Sequence, residues 1–261
     1  GLGDVYKRQI LKRFQMDKVC PLSTPMVVRS LDIKKDPYRP KEEDENVLGP
    51  EVPYLSAIGA LLYLAQCARP DIAFSVNLLA RYSSAPTKRH WNDIKHIMRY
   101  LQGTTDLGLF YSNTGNNPIL VGYADAGYLS DPHKARSQTG YVFTNRNATI
   151  SWRSTKQTLV ATLSNHSEIL ALHEASRECV WLRSLIEHIR CTCQIPSTTE
   201  RSNIIYEDNA ACIAQIQAGY IKGDRRKHIS PIFFFTHELQ KDNKIEVKQK
   251  QSQENPADLF T

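Results

Sequence analysis

The spacing of apolar residues changes near residue 117, and this change limits the folds that the chain can adopt. Upstream, apolar residues recur every three or four positions, which is typical of amphipathic helices. Three consecutive helices are predicted there, beginning at Tyr54, Pro70 and Thr87, and the last ends at Gly103. Downstream, short apolar runs bounded by turn residues predict strands. The sequence therefore predicts a small helical region followed by an α/β domain.

The downstream elements are predicted in the order β-β-β-α-β-α-α-β, with a last helix beginning at Pro256. The strands are predicted at 119–123, 140–144, 148–152, 203–206 and 244–248, and the helices at 164–189, 208–218 and 229–240. Parallel pairing of the first and fourth strands needs a helical crossover, and the long helix between them supplies it. We predict a mixed five-stranded sheet flanked by helices over residues 117–261.

The remaining chain is divided into residues 1–53, an irregular tail and linker, and residues 54–116, the helical region. Repeated prolines and a charge run at 41–45 predict a surface linker at 20–53. Residues 1–9 are interpreted as an adaptor scar and are set aside, and the chain, which lacks an initial Met, is interpreted as a fragment. The longest apolar run is roughly half the length of a membrane span, so no membrane partner is predicted.

Charge and cysteine content set broad limits on partners and compartment. The formal net charge of +6 permits a polyanionic partner without requiring one. The six cysteines are scattered, and Cys191 and Cys193 form a lone CxC pair without a second pair at zinc-site spacing. Reduced thiols in an intracellular protein are therefore predicted.

Four acidic residues lie where predicted strands end or where a helix could face the sheet: Asp125, Glu168, Asp208 and Asp258. Taken singly, such an Asp is more often a turn or cap residue, and such a Glu is more often a solvated charge. Taken together they predict a metal site, because crowded carboxylates repel one another and Mg²⁺ prefers oxygen ligands. Two such ions about 4 Å apart support in-line phosphodiester cleavage. The sequence contains no compelling Ser-His-Asp arrangement and no GxxxxGK[ST] loop.

Short motifs follow one another in a characteristic order along the second half of the chain. They are Tyr-Ala-Asp-Ala at 123–126, Gly-Tyr-Val-Phe at 140–143, Ile-Ser-Trp-Arg-Ser-Thr-Lys-Gln at 150–157, Trp-Leu-Arg at 181–183, Tyr-Glu-Asp-Asn at 206–209, Arg-Lys-His-Ile at 226–229 and Pro-Ala-Asp-Leu-Phe-Thr at 256–261. Over roughly Pro118 to Thr261 this series resembles the ribonuclease H domain of copia-type retrotransposon Pol polyproteins. Upstream, the motifs at 21–25, 69–73 and 99–104 resemble the end of the preceding reverse transcriptase and its connection.

The resemblance implies a ribonuclease H-like fold and four residues that are both catalytic and metal-binding, namely Asp125, Glu168, Asp208 and Asp258. By analogy, Asp125 would bridge two Mg²⁺ ions, with Mn²⁺ as a substitute. Glu168 and Asp208 would hold the ion nearer the leaving group, and Asp258 the ion that activates water.

The implied activity is endonucleolytic cleavage of the RNA strand of RNA–DNA hybrids during reverse transcription. The implied partners are the hybrid and the reverse transcriptase portion of the same polyprotein. The implied location is intracellular, in a cytoplasmic virus-like particle or the nucleus.

Several positions depart from the family pattern. Gly127 replaces a frequent second Asp, Ser230 replaces the usual Asp after Lys-His-Ile, and an aromatic-His pair is replaced within 233–235. These departures favour an alternative, a catalytically inactive nucleic-acid-binding or structural remnant of a Pol polyprotein. A third alternative is an integrase-like enzyme, which also uses carboxylates. The paired-Asp motif of the polymerase is missing, so the fragment is not expected to polymerise DNA by itself.

Basic residues are candidates for sequence-independent phosphate contacts. The candidates are Arg136, Arg153, Lys156, Arg225, Arg226 and Lys227. For each of these residues, an ordinary solvated charge is an alternative of equal weight to a phosphate contact. His228 is a candidate for proton transfer, although helix packing or capping is the favoured interpretation. Trp152 is interpreted as a core residue.

Overall fold

A computed structural model describes residues 2–28, 32–111, 120–195, 202–219 and 230–261. The chain forms two compact units, which we describe separately. The first comprises Gly1–Phe110 with Pro132–Lys134, and the second Tyr111–Asp131 with Ala135–Thr261. Within the described ranges, no helix combines the length and apolar character needed to cross a membrane.

The first unit is a bundle of helices around an apolar core. Its helices are α1 (Leu2–Arg13), α2 (Tyr54–Cys67), α3 (Ala73–Ala80) and α4 (Lys88–Gly103), with a 3₁₀ turn at Pro70–Ile72 before α3. The three predicted helices are thus confirmed. Their apolar faces supply fully buried side chains, including Leu61, Val76 and Ile97.

Helix α1 differs from expectation, because it lies within the segment that was predicted to be irregular. Leu2, Val5, Tyr6 and Ile10 recur at helical spacing, but the sequence interpretation sets residues 1–9 aside as an adaptor scar. Ile10 and Leu11 nevertheless pack into the first core, as does Tyr38 from the predicted linker. Burial against α2 and its neighbours stabilises a helix that would be marginal alone.

A buried cation joins two of the upstream motifs. Arg69 is 1% exposed, and its Nη2 lies 2.6 Å from Asp71 Oδ2. Its Nη1 donates to Thr104 O at 2.9 Å, and its guanidinium lies over the Tyr100 ring. The charge is therefore paired and hydrogen-bonded, as a buried charge must be. These motif residues have a packing role in the first unit.

The second unit contains the predicted mixed five-stranded sheet. The strands are β1 (Leu120–Asp131), β2 (Arg136–Asn145), β3 (Ala148–Lys156), β4 (Asn203–Glu207) and β5 (Ile245–Gln249). Their spatial order is β3-β2-β1-β4-β5. The pairs β1–β2 and β2–β3 are antiparallel, whereas β1–β4 and β4–β5 are parallel. The predicted parallel pairing of the first and fourth strands is confirmed.

Helices pack against the sheet and complete the second core. They are α5 (Ser164–Thr192), α6 (Ala210–Ala218), α7 (Ser230–Lys241) and a final 3₁₀ helix (Pro256–Phe260). Asn209 caps α6 by accepting a hydrogen bond from Cys212 N at 3.0 Å, and Gly219 ends it with φ = 66°. Fully buried contributors to the core include Phe143, Leu172 and Ile205.

One local prediction needs correction. The first strand continues well past residue 123, so Asp125 lies inside β1 rather than after it. The buried face of α5 ends at Leu182, and Leu185 is 38% exposed. The turn-rich residues 113–118, between the two predicted regions, lie outside the described residues.

Candidate metal centre

Three of the four predicted carboxylates meet at one place in the second unit. Asp125, Glu168 and Asp208 each offer a carboxylate oxygen, and these oxygens all lie within 4.8 Å of one another. The residues come from the middle of β1, the first turns of α5 and the position directly after β4. Segments far apart in the sequence therefore form a single acidic cluster.

Strand register explains the meeting of the two aspartates. Tyr123 of β1 pairs with Tyr206 of β4, and the strands run parallel. Each aspartate follows its tyrosine by two residues, so Asp125 and Asp208 lie at the same level of adjacent strands. Helix α5 is the crossover between these strands, and its first turns bring Glu168 to the same end of the sheet.

Burial makes this cluster costly to ionise. Asp125 is 8% exposed and Glu168 is 7% exposed. Burial raises the pKa of Asp125 to about 6, with further contributions from the charges of Asp208 and Asp258. The pKa of Glu168 is also raised. Burial is the largest cause, and repulsion from Asp125 and Asp208 adds to it. A cation in this cluster would offset the burial and the repulsion that together favour the protonated carboxyl groups.

The donor set suits a hard divalent cation. All three groups offer oxygen, the ligand type that Mg²⁺ and Mn²⁺ prefer. Glu168 Oε2 is buried and has no hydrogen-bond partner among the described residues. A buried carboxylate oxygen without a hydrogen-bond partner suits ligation of a cation. The residues present therefore fit the implied metal.

Asp258, the fourth predicted residue, lies near the cluster but is not one of its converging members. It is exposed on the final 3₁₀ helix. Its charge contributes to the raised pKa of Asp125, so the two groups are electrostatically coupled. Asp258 is exposed to solvent on its 3₁₀ helix, whereas Asp125 and Glu168 are buried on β1 and α5.

The C-terminal segment makes direct contacts with the cluster that sequence reasoning missed. The Thr261 hydroxyl donates to Asp125 Oδ2 at 2.5 Å, and the Ser252 hydroxyl donates to Asp208 Oδ2. Asn255 Nδ2 donates to Ala124 O at 2.8 Å, while Asn255 Oδ1 accepts from Ala257 N at 3.1 Å. The sequence signal was the Asn-Pro pair, which is typical of a helix start.

Glu207 is a further acidic residue that was not predicted to belong to the site. It is fully buried, and its pKa is raised well above the ordinary value. Burial is the largest cause, and the charge of Glu168 is the second. Its Oε1 accepts from Asn209 N at 3.3 Å, which holds the start of α6. Strand alternation could have found it, because Glu207 shares a face of β4 with the buried Ile205.

The predicted phosphate-contact residues fall into different environments. Arg153 is exposed on β3, whereas Lys156 lies 3.7 Å from Asp131 and Arg136 donates to Thr158 O. Trp152 is half-buried. The candidates Arg225, Arg226, Lys227 and His228, and the Ser230 side chain, lie outside the described residues.

Comparison with known proteins places these observations in a family. No protein-family model matches the chain. Over 98% of its length the chain is 34% identical to the retrovirus-related Pol polyprotein from transposon TNT 1-94 of Nicotiana tabacum. It is 30% identical, again over 98% of its length, to the corresponding polyprotein from transposon RE2 of Arabidopsis thaliana. The chain belongs to the copia-type Pol polyproteins. This Pol segment spans only 18% and 16% of those two relatives.

Other similarities cover part of the Pol segment. Half of the chain is 45% identical to the secreted RxLR effector protein 161 of Plasmopara viticola, and the match covers 92% of that protein. Among solved structures, the N-terminal RNase H domain of rv2228c from Mycobacterium tuberculosis matches 56% of the chain and 91% of that structure, at 13% identity and a TM-score of 0.41. LC11-RNase H1, solved with an RNA/DNA hybrid, matches 54% of the chain and 92% of that structure, at 16% identity and a TM-score of 0.37.

Proposed function

We propose that this Pol segment is a metal-dependent ribonuclease H that cuts the RNA strand of RNA–DNA hybrids during retrotransposon reverse transcription. The observation that supports this most strongly is the convergence of Asp125, Glu168 and Asp208 within 4.8 Å. Such a cluster, in the second unit of a chain related to Pol polyproteins, is suited to phosphodiester hydrolysis. The second unit would be the ribonuclease H-like domain, and the first unit the connection from the reverse transcriptase.

The three clustered carboxylates would hold Mg²⁺, with Mn²⁺ as a substitute, and Asp258 would complete the set. When bound, two such ions activate a water molecule and stabilise the leaving oxygen. The protein's part is to hold the ligands in place. Thr261 orients Asp125, Ser252 orients Asp208, and the start of α5 carries Glu168. Such outer hydrogen bonds fix the direction of ligand oxygens.

Substrate binding would rest on charge and shape rather than on base recognition. The formal net charge is +6, and Arg153, which is exposed on β3 beside Tyr141, would meet phosphates. The proposed partners are the hybrid and the reverse transcriptase portion of the polyprotein. The proposed location is a cytoplasmic virus-like particle or the nucleus.

A hybrid cleavage assay tests the proposal. The full chain is incubated with a hybrid labelled on each strand in turn, with Mg²⁺ or with a chelator. We expect RNA fragments, an intact DNA strand and no cutting in the chelator. Binding of the hybrid without cutting would instead identify an inactive remnant, and metal-dependent cutting of DNA would favour the integrase-like alternative.

Metal binding is expected to strengthen as pH rises. In the metal-free protein, the raised pKa of Asp125, about 6 instead of 3.8, means that the folded state retains a proton that the unfolded state releases. Stability is therefore fully present below the ordinary pKa and is lost as pH rises through about 6. Glu168, whose pKa is also raised, extends the loss to higher pH. Because protons compete with the cation, Mg²⁺ should stabilise the chain more at high pH.

Thermal unfolding measured at about pH 5 and about pH 8 checks this expectation. The metal-free unfolding temperature should be lower at the higher pH, and the increase caused by Mg²⁺ should be larger there. An Mg²⁺ effect of equal size at both pH values would contradict it.

A further inference from the structure

We propose that Gln157 is a positioning residue that sets the location of Glu168 relative to Asp125. This inference rests on the proposed function, since it concerns the same carboxylates. Gln157 directly follows β3 and is 7% exposed. Its Nε2 donates to Ser167 O at 2.9 Å and to Thr139 Oγ1 at 3.0 Å. A single amide therefore contacts both the start of α5 and strand β2.

Both contacts lie next to residues of the acidic cluster. Ser167 immediately precedes Glu168 in α5. Thr139 precedes Gly140, and Gly140 is the register partner of Asp125 on β1. The Gln157 amide thus connects the peptide before Glu168 with strand β2, which pairs with β1 at Asp125. The separation of these two carboxylates depends on this connection.

The start of α5 needs such an anchor. Leu163 is its N-cap residue, and its apolar side chain makes no capping hydrogen bond. Gln157 itself is fixed, because its backbone N donates to Ser137 O at 2.9 Å. The first turns of the helix are therefore tied to the sheet through a buried side chain whose own backbone is held on β2.

The chemistry of the contacts explains why glutamine is required. Ser167 O and Thr139 Oγ1 both accept from the same nitrogen, so the position needs a group that can donate twice. A neutral amide provides two such hydrogens without a buried charge. Methionine has a similar length but no donor, and asparagine has the donors but is one methylene shorter.

The test compares Gln157→Met, Gln157→Asn and Thr139→Val with one control, Ser176→Ala, in the full chain. Ser176→Ala removes a buried hydrogen bond within α5, from the Ser176 hydroxyl to Leu172 O at 2.7 Å. Ser176 lies in the same helix as Glu168 but is not one of the clustered residues. Thr139→Val removes one acceptor of the Gln157 amide but keeps the bond to Ser167 O. Mn²⁺ binding is followed by electron paramagnetic resonance, and hybrid cleavage is followed in an Mg²⁺ titration.

We expect both Gln157 variants to raise the half-saturating metal concentration about tenfold, because outer contacts of metal ligands have effects of this size. The kcat should fall while the KM for the hybrid stays near that of the unsubstituted chain. Thr139→Val, which breaks the connection at β2, should also weaken Mn²⁺ binding, whereas Ser176→Ala should bind Mn²⁺ as the unsubstituted chain does. If Gln157→Met does not fold, Gln157→Asn decides.

Different failures have different meanings. If the unsubstituted chain binds Mn²⁺ and cuts the hybrid while the Gln157 variants match Ser176→Ala, the positioning role is wrong and the proposed function stands. If Thr139→Val binds Mn²⁺ as the unsubstituted chain does while the Gln157 variants bind it weakly, the proposed connection between α5 and β2 is wrong. If the unsubstituted chain neither binds Mn²⁺ nor cuts, the proposed function fails and this inference fails with it.

Discussion

Asp125→Asn is expected to reduce metal-dependent hybrid cleavage about a thousandfold, and Asp208→Asn is expected to do the same. Asparagine preserves the shape of each side chain but removes the charge and one ligand oxygen. Metal ions contribute several kcal/mol of transition-state stabilisation, and each 1.36 kcal/mol corresponds to a factor of ten in rate. Initial rates of RNA cleavage at saturating Mg²⁺ measure the effect.

The same chemical change elsewhere on β1 provides the control. Asp131 is also buried, at 5% exposure, but it lies 3.7 Å from Lys156 and is not one of the clustered ligands. Asp131→Asn should retain activity within a few fold, a smaller effect than ligand loss. Retention of more than a tenth of the activity by Asp125→Asn would show that this carboxylate does not hold the metal.

The metal-free stability of Asp125→Asn adds an independent measurement. The burial and repulsion that raise the pKa of Asp125 disfavour its charged form. Replacing it with a neutral side chain should therefore raise the unfolding temperature of the metal-free chain above pH 6 and reduce the response to Mg²⁺. A lower unfolding temperature together with lost activity would instead indicate a damaged fold.

Gly140→Ala is expected to reduce cleavage about a hundredfold, although Gly140 carries no functional group. A Cβ at this position would lie 2.7 Å from both Ala257 O and Phe260 Cβ, and 2.8 Å from Thr261 Cγ2. These atoms include backbone, so the C-terminal segment must move away. That segment carries Asp258 and the hydroxyl that orients Asp125. A displacement of about 1 Å at a catalytic site can cost about a hundredfold in rate.

Gly59→Ala is the matched control for this substitution. A Cβ at Gly59 meets no described atom within 4 Å, and the residue is exposed in the middle of α2. We expect unchanged cleavage and a gain of about 1 kcal/mol in helix stability. Cleavage by Gly140→Ala at the unsubstituted rate would show that the C-terminal segment does not position the carboxylates.

The departure at Gly127 has a structural context that the sequence did not reveal. A Cβ there would lie 3.1 Å from the Thr261 carbonyl carbon and 3.2 Å from Ser130 Cβ. The position lies beside the C-terminal segment, where a larger side chain would have to displace neighbours. The absence of a side chain at Gly127 therefore allows the C-terminal segment to pack closely against β1.

Local pattern was sufficient for most elements of the second unit. Alternation and turn residues located the strands, and the three-to-four spacing located α5, because these signals depend on neighbours in the sequence. The end of β1 was not obtained, since it is stabilised by pairing with β2. Helix α1 was not predicted because residues 1–9 were interpreted as an adaptor scar, although Ile10 and Leu11 lie in the first core.

The sequence by itself determined the order of elements, and it predicted four clustered carboxylates, of which Asp125, Glu168 and Asp208 converge in the structure. Only the tertiary structure decided that Asp258 stays exposed, that Glu207 is buried beside Glu168, and that one amide ties α5 to β2. Burial and hydrogen-bond partners of this kind arise from long-range packing, for which the local sequence has no periodic signal.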